Sequence, residues 1–420
     1  MLIKEREKIT KGLAEILKIM DKGSFVEIGA RACDKETEIY SPEAICESDG
    51  VVTGYGTIDG KAVFVFCQDE DIMGGSMGVV HAEKISRIYK MAVKVGAPLI
   101  GIMNSTGFRV EEAADGLNAF ATLYKEALNA KEKILQIIIK QKDFIGSMAV
   151  LAESADFIIE KEESNNIEAI KQLINILPPV KGMKPEPGEI KDDLNRLCTE
   201  IDENDGDCLK FLRKISDENF LLDYKPNIGK GTVTSFIRLA GRTVGVIGNI
   251  SEKGEVAMMS AEGTEKAAQF VKLCSSLNIG LLTLPCNGGV DSEEAKTPCM
   301  IKSLCSFAEN MAAANIPKVC LLSGRSTGAG YMLMGSKAFG IDIVFAWPSA
   351  KVMMMNPNQA VTIIYPGIKP ADVNEKVVEY EQCCCDMDFF LKRGYADKVI
   401  TPEESRKYLI GAFETFYNSY

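Results

Sequence analysis

The sequence predicts an α/β protein built as a tandem duplication of one strand-and-helix unit. Residues 51–66, VVTGYGTIDGKAVFVF, and 232–247, TVTSFIRLAGRTVGVI, share a plan of strand, glycine-centred turn and apolar strand. Downstream, HAEKISRIYKMAVKVGAPLIGIM and GTEKAAQFVKLCSSLNIGLLTLP both read as helix, Gly or Asn stop, and buried strand. The register barely drifts. Gly60 matches Gly241 at an offset of 181, Glu83 matches Glu265 at 182, and the same step carries Gly146 to Gly328. The lead-in segments also correspond, MDKGSFVEIG at 20–29 resembling ISDENFLLDY at 215–224.

Taken in order, the first unit has a helix over 81–95 with Ile85, Ile88, Ala92 and Val95 on one face, stopped by Gly96 before the strand LIGIM. A second helix spans roughly 110–132 and leads into the strand ILQIII at 134–139. Strands separated by helices of this length imply βαβ crossovers in layered packing. A length of 420 residues exceeds what one core usually organises. Three regions follow: an N-terminal domain over 1–165, a linker with short helices over 166–210, and a C-terminal domain over 211–420. KEESNN, LPPVKGMKPEPGE and IDENDGD mark the linker region as exposed.

Composition removes several classes of function. With 46% hydrophobic and 25% charged residues the chain is an ordinary globular protein. No stretch approaches the ~20 apolar residues of a bilayer span. MLIKEREKITKGL puts charge where a secretory signal needs an apolar core, so the expected compartment is the cytoplasm. The 13 cysteines form no C-x-x-C pair, which predicts reduced, buried thiols. Cys383, Cys384 and Cys385 lie in a helical segment where neighbouring side chains diverge, so they close no tetrahedral zinc site and no metal is expected. A net charge of −11 argues against a nucleic-acid partner. An anionic ligand then needs a local basic pocket or backbone N–H donors.

Two turns carry candidate chemistry. ILQIIIKQ runs into KDFIGSM before a helical AVLAESA, and KVCLLSGR runs into STGAGYMLMG. Each places small residues between a strand and a helix, where the first helical N–H groups are unpaired and the dipole favours negative charge. Such donors aimed at a carbonyl oxygen form an oxyanion hole, which stabilises an enolate formed next to a thioester; the plainer alternative is a close strand–helix contact. Equivalent turns in both copies favour the hole.

FCQDEDIMGGSMGVVHAEKI at 66–85, STGFRVEE at 105–112, GKGTVTSFIRLAGRTVGVIGN at 229–249 and RGYADKVITPEESRKYLI at 393–410 resemble the carboxyltransferase subunits of propionyl-CoA carboxylase and of sodium-pumping acyl-CoA decarboxylases. The resemblance covers nearly the whole chain from about residue 20. It implies two crotonase-like (ClpP/crotonase) ββα spiral units, the first for acyl-CoA and the second for carboxybiotin on a separate carrier. The active site would form where units of different subunits meet, in a homo-oligomer between dimer and hexamer. Implied partners are a biotin carboxyl carrier protein and either biotin carboxylase or membrane decarboxylase subunits. The implied reaction is carboxyl transfer between carboxybiotin and the α-carbon of an acyl-CoA. Two alternatives stand beside it: a non-catalytic or partner-dependent subunit of the same build, and a biotin-independent crotonase-type acyl-CoA enzyme.

Carried over by position, Gly146 and Ser147 correspond to the acyl-CoA oxyanion hole, and Gly328 and Ala329 to the biotin hole. Gly74, Gly75, Ser76 and Gly107 would border the coenzyme A site, with Gly330 and Tyr331 beside biotin, although an aromatic next to a glycine turn is also ordinary packing. Arg109 suits either a CoA phosphate or a structural ion pair. Glu111 and Glu112 read as a solvated helix face rather than as general acid and base. His81, the single histidine, reads as structural, because biotin itself acts as the base in this family.

Three departures stand out. Lys142 to Ser147 replaces a Gly-Pro-Cys-Ala-Gly-Gly run, and the Cβ of Ser147 would be penalised at positive φ. Pro285 to Gly289 replaces Asp-Val-Pro-Gly-Phe, and Gly328-Ala329-Gly330 replaces Gly-Gly-Ala.

Overall fold

A computed structural model describes residues 10–33, 47–141, 146–160, 166–199, 201, 208–250, 257–290, 293–417 and 419. The chain forms two compact units, residues 1–183 and 184–420. The first comprises α1 (Lys11–Ile19), β1 (Val26–Glu27), β2 (Val51–Ile58), β3 (Lys61–Gln68), α2 (Val79–Val95), β4 (Leu99–Met103), α3 (Ala113–Lys131), β5 (Gln136–Lys140), α4 (Ser147–Glu153), β6 (Phe157–Glu160) and α5 (Asn166–Ile176). Its strands lie in sequence order, β1 to β3 antiparallel and β3 to β6 parallel, with Leu99 facing both Phe64 and Gln136.

The second unit repeats this plan with α6 (Cys208–Ile215), β7 (Leu222–Asp223), β8 (Thr232–Leu239), β9 (Arg242–Asn249), α7 (Ala261–Ser276), β10 (Gly280–Leu284), α8 (Pro298–Ala313) and β11 (Lys318–Leu322). It continues with β12 (Arg325–Thr327), α9 (Ala329–Gly335), β13 (Ile343–Ala346), β14 (Lys351–Met353), α10 (Pro357–Ile364), α11 (Val373–Cys384), α12 (Met387–Lys392), β15 (Lys398–Val399) and α13 (Ser405–Phe416). Its main sheet runs β7-β8-β9-β10-β11-β13-β15, so six strands repeat the first sheet and β15 extends it. β12 and β14 form a small parallel pair of their own.

The parallel strands are apolar throughout because both sheet faces are covered; every residue of β4, β10 and β11 is buried. In the first unit Phe66, Ile85, Ile88, Leu123, Ile138 and Leu151 join sheet to helices. In the second, Ile237, Val246, Leu321 and Phe345 meet Leu212 of α6 and Leu409 and Phe413 of α13. Arg406, fully buried, fastens α13 by donating to Ile215 O and pairing with Asp217 at 2.6 Å each.

Polar devices repeat with the fold. Asp21 accepts from the N–H groups of Asp59 and Gly60 at the first hairpin, and Asp217 accepts from Ala240 and Gly241 at the second. Buried Lys84 donates to the carbonyls of Ser48 and Val51, and Lys266 to those of Gly229 and Thr232. Asp156 caps the start of β5 at Gln136 N, and Asp342 caps β11 at Lys318 N.

Several details differ from expectation. The linker region is divided: α5 belongs to the first unit, burying Ile170, Leu173 and Ile174, and residues from 184 onward belong to the second, where Cys198 is buried. These stretches are therefore not uniformly exposed, because α5 and Cys198 carry apolar faces that water disfavours. Residues 161–165 and 202–207 of that region lie outside the described residues, as do 1–9 of the N-terminus. Cysteines 67, 198, 208, 274, 320 and 385 are buried, but 33, 299, 305, 383 and 384 are exposed, and none of the described cysteines is in a disulfide. Among the described residues no group of three or more Cys, His, Asp or Glu side chains is placed to hold a metal, and no helix is long and apolar enough to cross a membrane.

Candidate functional site

The two glycine turns have nearly one backbone conformation. Gly146 has φ 63° and ψ −127°, and Gly328 has φ 52° and ψ −122°, each immediately before a seven-residue helix. These are the dihedrals of the first central residue of a type II′ turn, a region that L-residues avoid. The N–H groups that follow, from Ser147 and from Ala329, head helices that contain no acceptor for them. Ser147 is half-buried and lies outside the left-handed region, so its Cβ carries no backbone penalty and the concern raised by its replacement of glycine is removed. Lys142 to Ile145, the rest of that altered run, lie outside the described residues.

At the second turn the donors begin one residue later than expected. The N–H of Gly328 donates to Met353 O at 2.9 Å, so it is committed to the backbone, and the amides that remain are those of Ala329 and its successors. Gly330 is buried against Asn287, whose amide would lie 2.1–2.4 Å from any added Cβ. Asn287 is itself fixed: its backbone N–H donates to Arg325 O, its Nδ2 to Asn249 Oδ1 at 3.2 Å, and its Oδ1 accepts from Gly289 N at 3.1 Å. Tyr331 packs edge-on against Phe390 at 5.5 Å, and burial pushes its hydroxyl up to about 12. Packing is thus what the structure gives the Tyr331 ring.

In the first unit the Met73–Gly78 loop lies on the segment after β4. Gly75 touches Asn104 O, Gly74 lies beside Thr106, and Met77 exchanges backbone hydrogen bonds with Gly107 and Arg109. Gly74 and Gly107 are half-buried, while Gly75 and Ser76 are buried. Arg109 takes the ion-pair alternative: its side chain is 1% exposed and bonded to Asp49 and Glu112. It does not reach out toward a phosphate, because two buried carboxylates hold it. Glu111 is exposed as expected, but Glu112 is not a solvated residue; it is buried and accepts from Val79 N at the head of α2.

His81 is fully buried. Its Nδ1–H donates to Asp49 O at 3.0 Å, which leaves Nε2 to accept from Gln68 Nε2 at 3.2 Å, while Gln68 Oε1 accepts from Asn104 N. Burial, with Arg109 and Lys84 nearby, lowers its pKa to about 3. A neutral ring held by two hydrogen bonds is structural.

The carboxyl transferase domain family matches residues 12–167 and 154–419. The chain belongs to that family. Among this carboxyltransferase's relatives, the propionyl-CoA carboxylase beta chain of Roseobacter denitrificans is 28% identical over 95% of this chain and 89% of its own length. The methylmalonyl-CoA decarboxylase subunit alpha of Propionigenium modestum is also 28% identical, over 94% and 88%. In structure the carboxyltransferase is similar to the transcarboxylase 12S hexamer solved with methylmalonyl-coenzyme A and methylmalonic acid bound. The TM-score is 0.90 at 25% identity, covering 97% of this chain and 90% of that one. The crotonase-like fold class stands on that likeness.

Asn287 and Glu294 are not singled out from the sequence and Glu112 reads there as solvated, although the two glutamates have a signal available. Glu112 and Glu294 are separated by the same 182-residue step as the two turns, and Ala261 N donates to Glu294 Oε2 at 3.2 Å as Val79 N does to Glu112.

Proposed function

We propose that this chain is the carboxyltransferase component of a biotin-dependent acyl-CoA carboxylase or decarboxylase, working in the cytoplasm as a homo-oligomer with a separate biotin carrier. The observation that carries the reading is the shared backbone of Gly146 and Gly328 in the two copies of one unit. Two carbonyl oxygens need stabilising in carboxyl transfer, the thioester oxygen of the acyl-CoA as it becomes an enolate and the ureido oxygen of biotin. A duplicated chain offers one helix-head donor set for each. The amides of Ser147 and its successor serve the thioester; those of Ala329 and Gly330 serve biotin. Backbone amides suit a ureido oxygen because they donate without adding charge. Biotin supplies the carboxyl group and the base for the α-proton, so the protein contributes orientation and electrostatic stabilisation. A neutral His81 and the absence of another imidazole fit that division of labour.

The test is decarboxylation of malonyl-CoA, methylmalonyl-CoA or glutaconyl-CoA with free biotin as acceptor. Biotin-dependent turnover of at least one is expected, and Ala329→Phe should abolish the biotin dependence while acyl-CoA still binds. No turnover on any of the three, together with no CoA-ester binding by calorimetry, would make this a non-catalytic subunit.

A further inference from the structure

In each unit the loop before the long helix is tied to the loop after the next strand by the same two contacts. Met77 N donates to Gly107 O at 2.8 Å, and Met259 N donates to Gly289 O at 2.8 Å. Two residues beyond each of these donors, the first N–H of the helix donates to a glutamate from the second loop, Val79 to Glu112 and Ala261 to Glu294. The helix heads differ in what else they have. α2 has Gly78 at its N-cap and no side-chain cap of its own, so Glu112 serves in place of one; α7 has Ser260, which accepts from Gly263 N. Glu112 is also more firmly held, since it is buried, paired with Arg109 at 3.3 Å, and so close to Gly78 that a Cβ there would meet its Oε1 at 2.0 Å.

We infer that Glu112 and Glu294 are positioning residues for the two ligands: Glu112 fixes the Met73–Gly78 loop for the acyl-CoA, and Glu294 fixes residues 257–260 for biotin. The inference rests on the division of ligands proposed above. Neither carboxylate touches a reacting atom. Each acts by holding a loop whose backbone a ligand would meet, and a carboxylate at a helix head also matches the positive end of the dipole.

Glu112→Ala should weaken malonyl-CoA binding by roughly fivefold, the equivalent of one lost cap, and leave the KM for free biotin unchanged. Glu112→Gln keeps an oxygen for Val79 N and should restore most of the affinity. Glu294→Ala should do the reverse, raising the KM for biotin by roughly twofold because Ser260 still caps α7. Glu294 is half-buried, which keeps that variant foldable if Glu112→Ala is not. Hydrogen exchange supplies the readout that needs no ligand: faster exchange is expected at 73–79 in the first variant and at 257–261 in the second. Unchanged exchange in both, or equal weakening of both ligands by either substitution, overturns the inference. Local exchange changes with both ligand constants unmoved would mean that these loops do not meet the ligands, which overturns the inference and leaves the division of ligands between the two turns standing.

Discussion

Replacing Gly328 by alanine tests the backbone argument directly. At φ 52° and ψ −122° an L-residue is held in a region that costs on the order of 1–3 kcal/mol. The added Cβ would also meet the backbone oxygen of Met354 at 3.3 Å, a tight contact that asks the neighbouring chain to give by a few tenths of an ångström. Two outcomes are open to the chain. If the bond from Gly328 N to Met353 O holds the turn, the strain appears as lost stability, a fall of about 2–4 °C in melting temperature per kcal/mol for a unit of this size. If the turn relaxes, the amide of Ala329 swings away and its donor is lost, which costs ~3 kcal/mol and about a hundredfold in kcat. The assay pairs thermal unfolding with biotin-dependent decarboxylation of malonyl-CoA. Gly146→Ala, where nothing lies within 4 Å of the built Cβ, should behave alike, and Gly411→Ala in α13, with open space and no positive φ, should change neither readout for the worse. Gly328→Ala with wild-type melting and kcat within twofold would refute the reasoning.

Two further outcomes follow from strained or buried groups outside the turns. Ala113, at φ 43° and ψ −122°, starts α3 in the same disfavoured region without being glycine, so Ala113→Gly should stabilise the protein by about 1 kcal/mol after the entropic penalty of glycine, read by denaturant midpoint. For His81 the folded pKa of about 3 lies below the ordinary histidine value of 6.5, so the unfolded chain binds the proton more tightly; the stability this contributes is complete above pH 6.5 and falls as pH drops toward 3. Between pH 6.5 and 5 the loss from this group should be about 2 kcal/mol. A His81→Asn variant should lack that slope, and an unchanged slope would show that other groups set it.

Much of the architecture is legible along the chain because local rules and burial agree there. Helix α2 ends at Gly96 in the left-handed conformation, as the glycine after an amphipathic run implies, and β4, β10 and β11 are the apolar runs of strands covered on both faces. The expected helix at 110–132 begins instead with a 3₁₀ turn over Val110–Glu112, because Glu112 is drawn inward to the head of α2. Buried polar residues were the least legible. Glu112 looks like a surface residue in sequence and Arg109 is left open there between a phosphate and an ion pair, because the partners that settle both, Asp49 and Val79, lie far away in the chain.

By itself, the sequence determined the duplication, the order of strands and helices, and the pairing of Gly146 with Gly328. Those features are written in periodicity, glycine placement and a constant offset, all of them local or additive along the chain. Tertiary structure decided which amides at the turns remain available, that Gly328 donates to Met353, that Gly330 yields room to Asn287, and that Arg109 binds carboxylates. Each of these depends on a partner far away in sequence, and hydrogen bonds and ion pairs between distant residues leave no periodic trace.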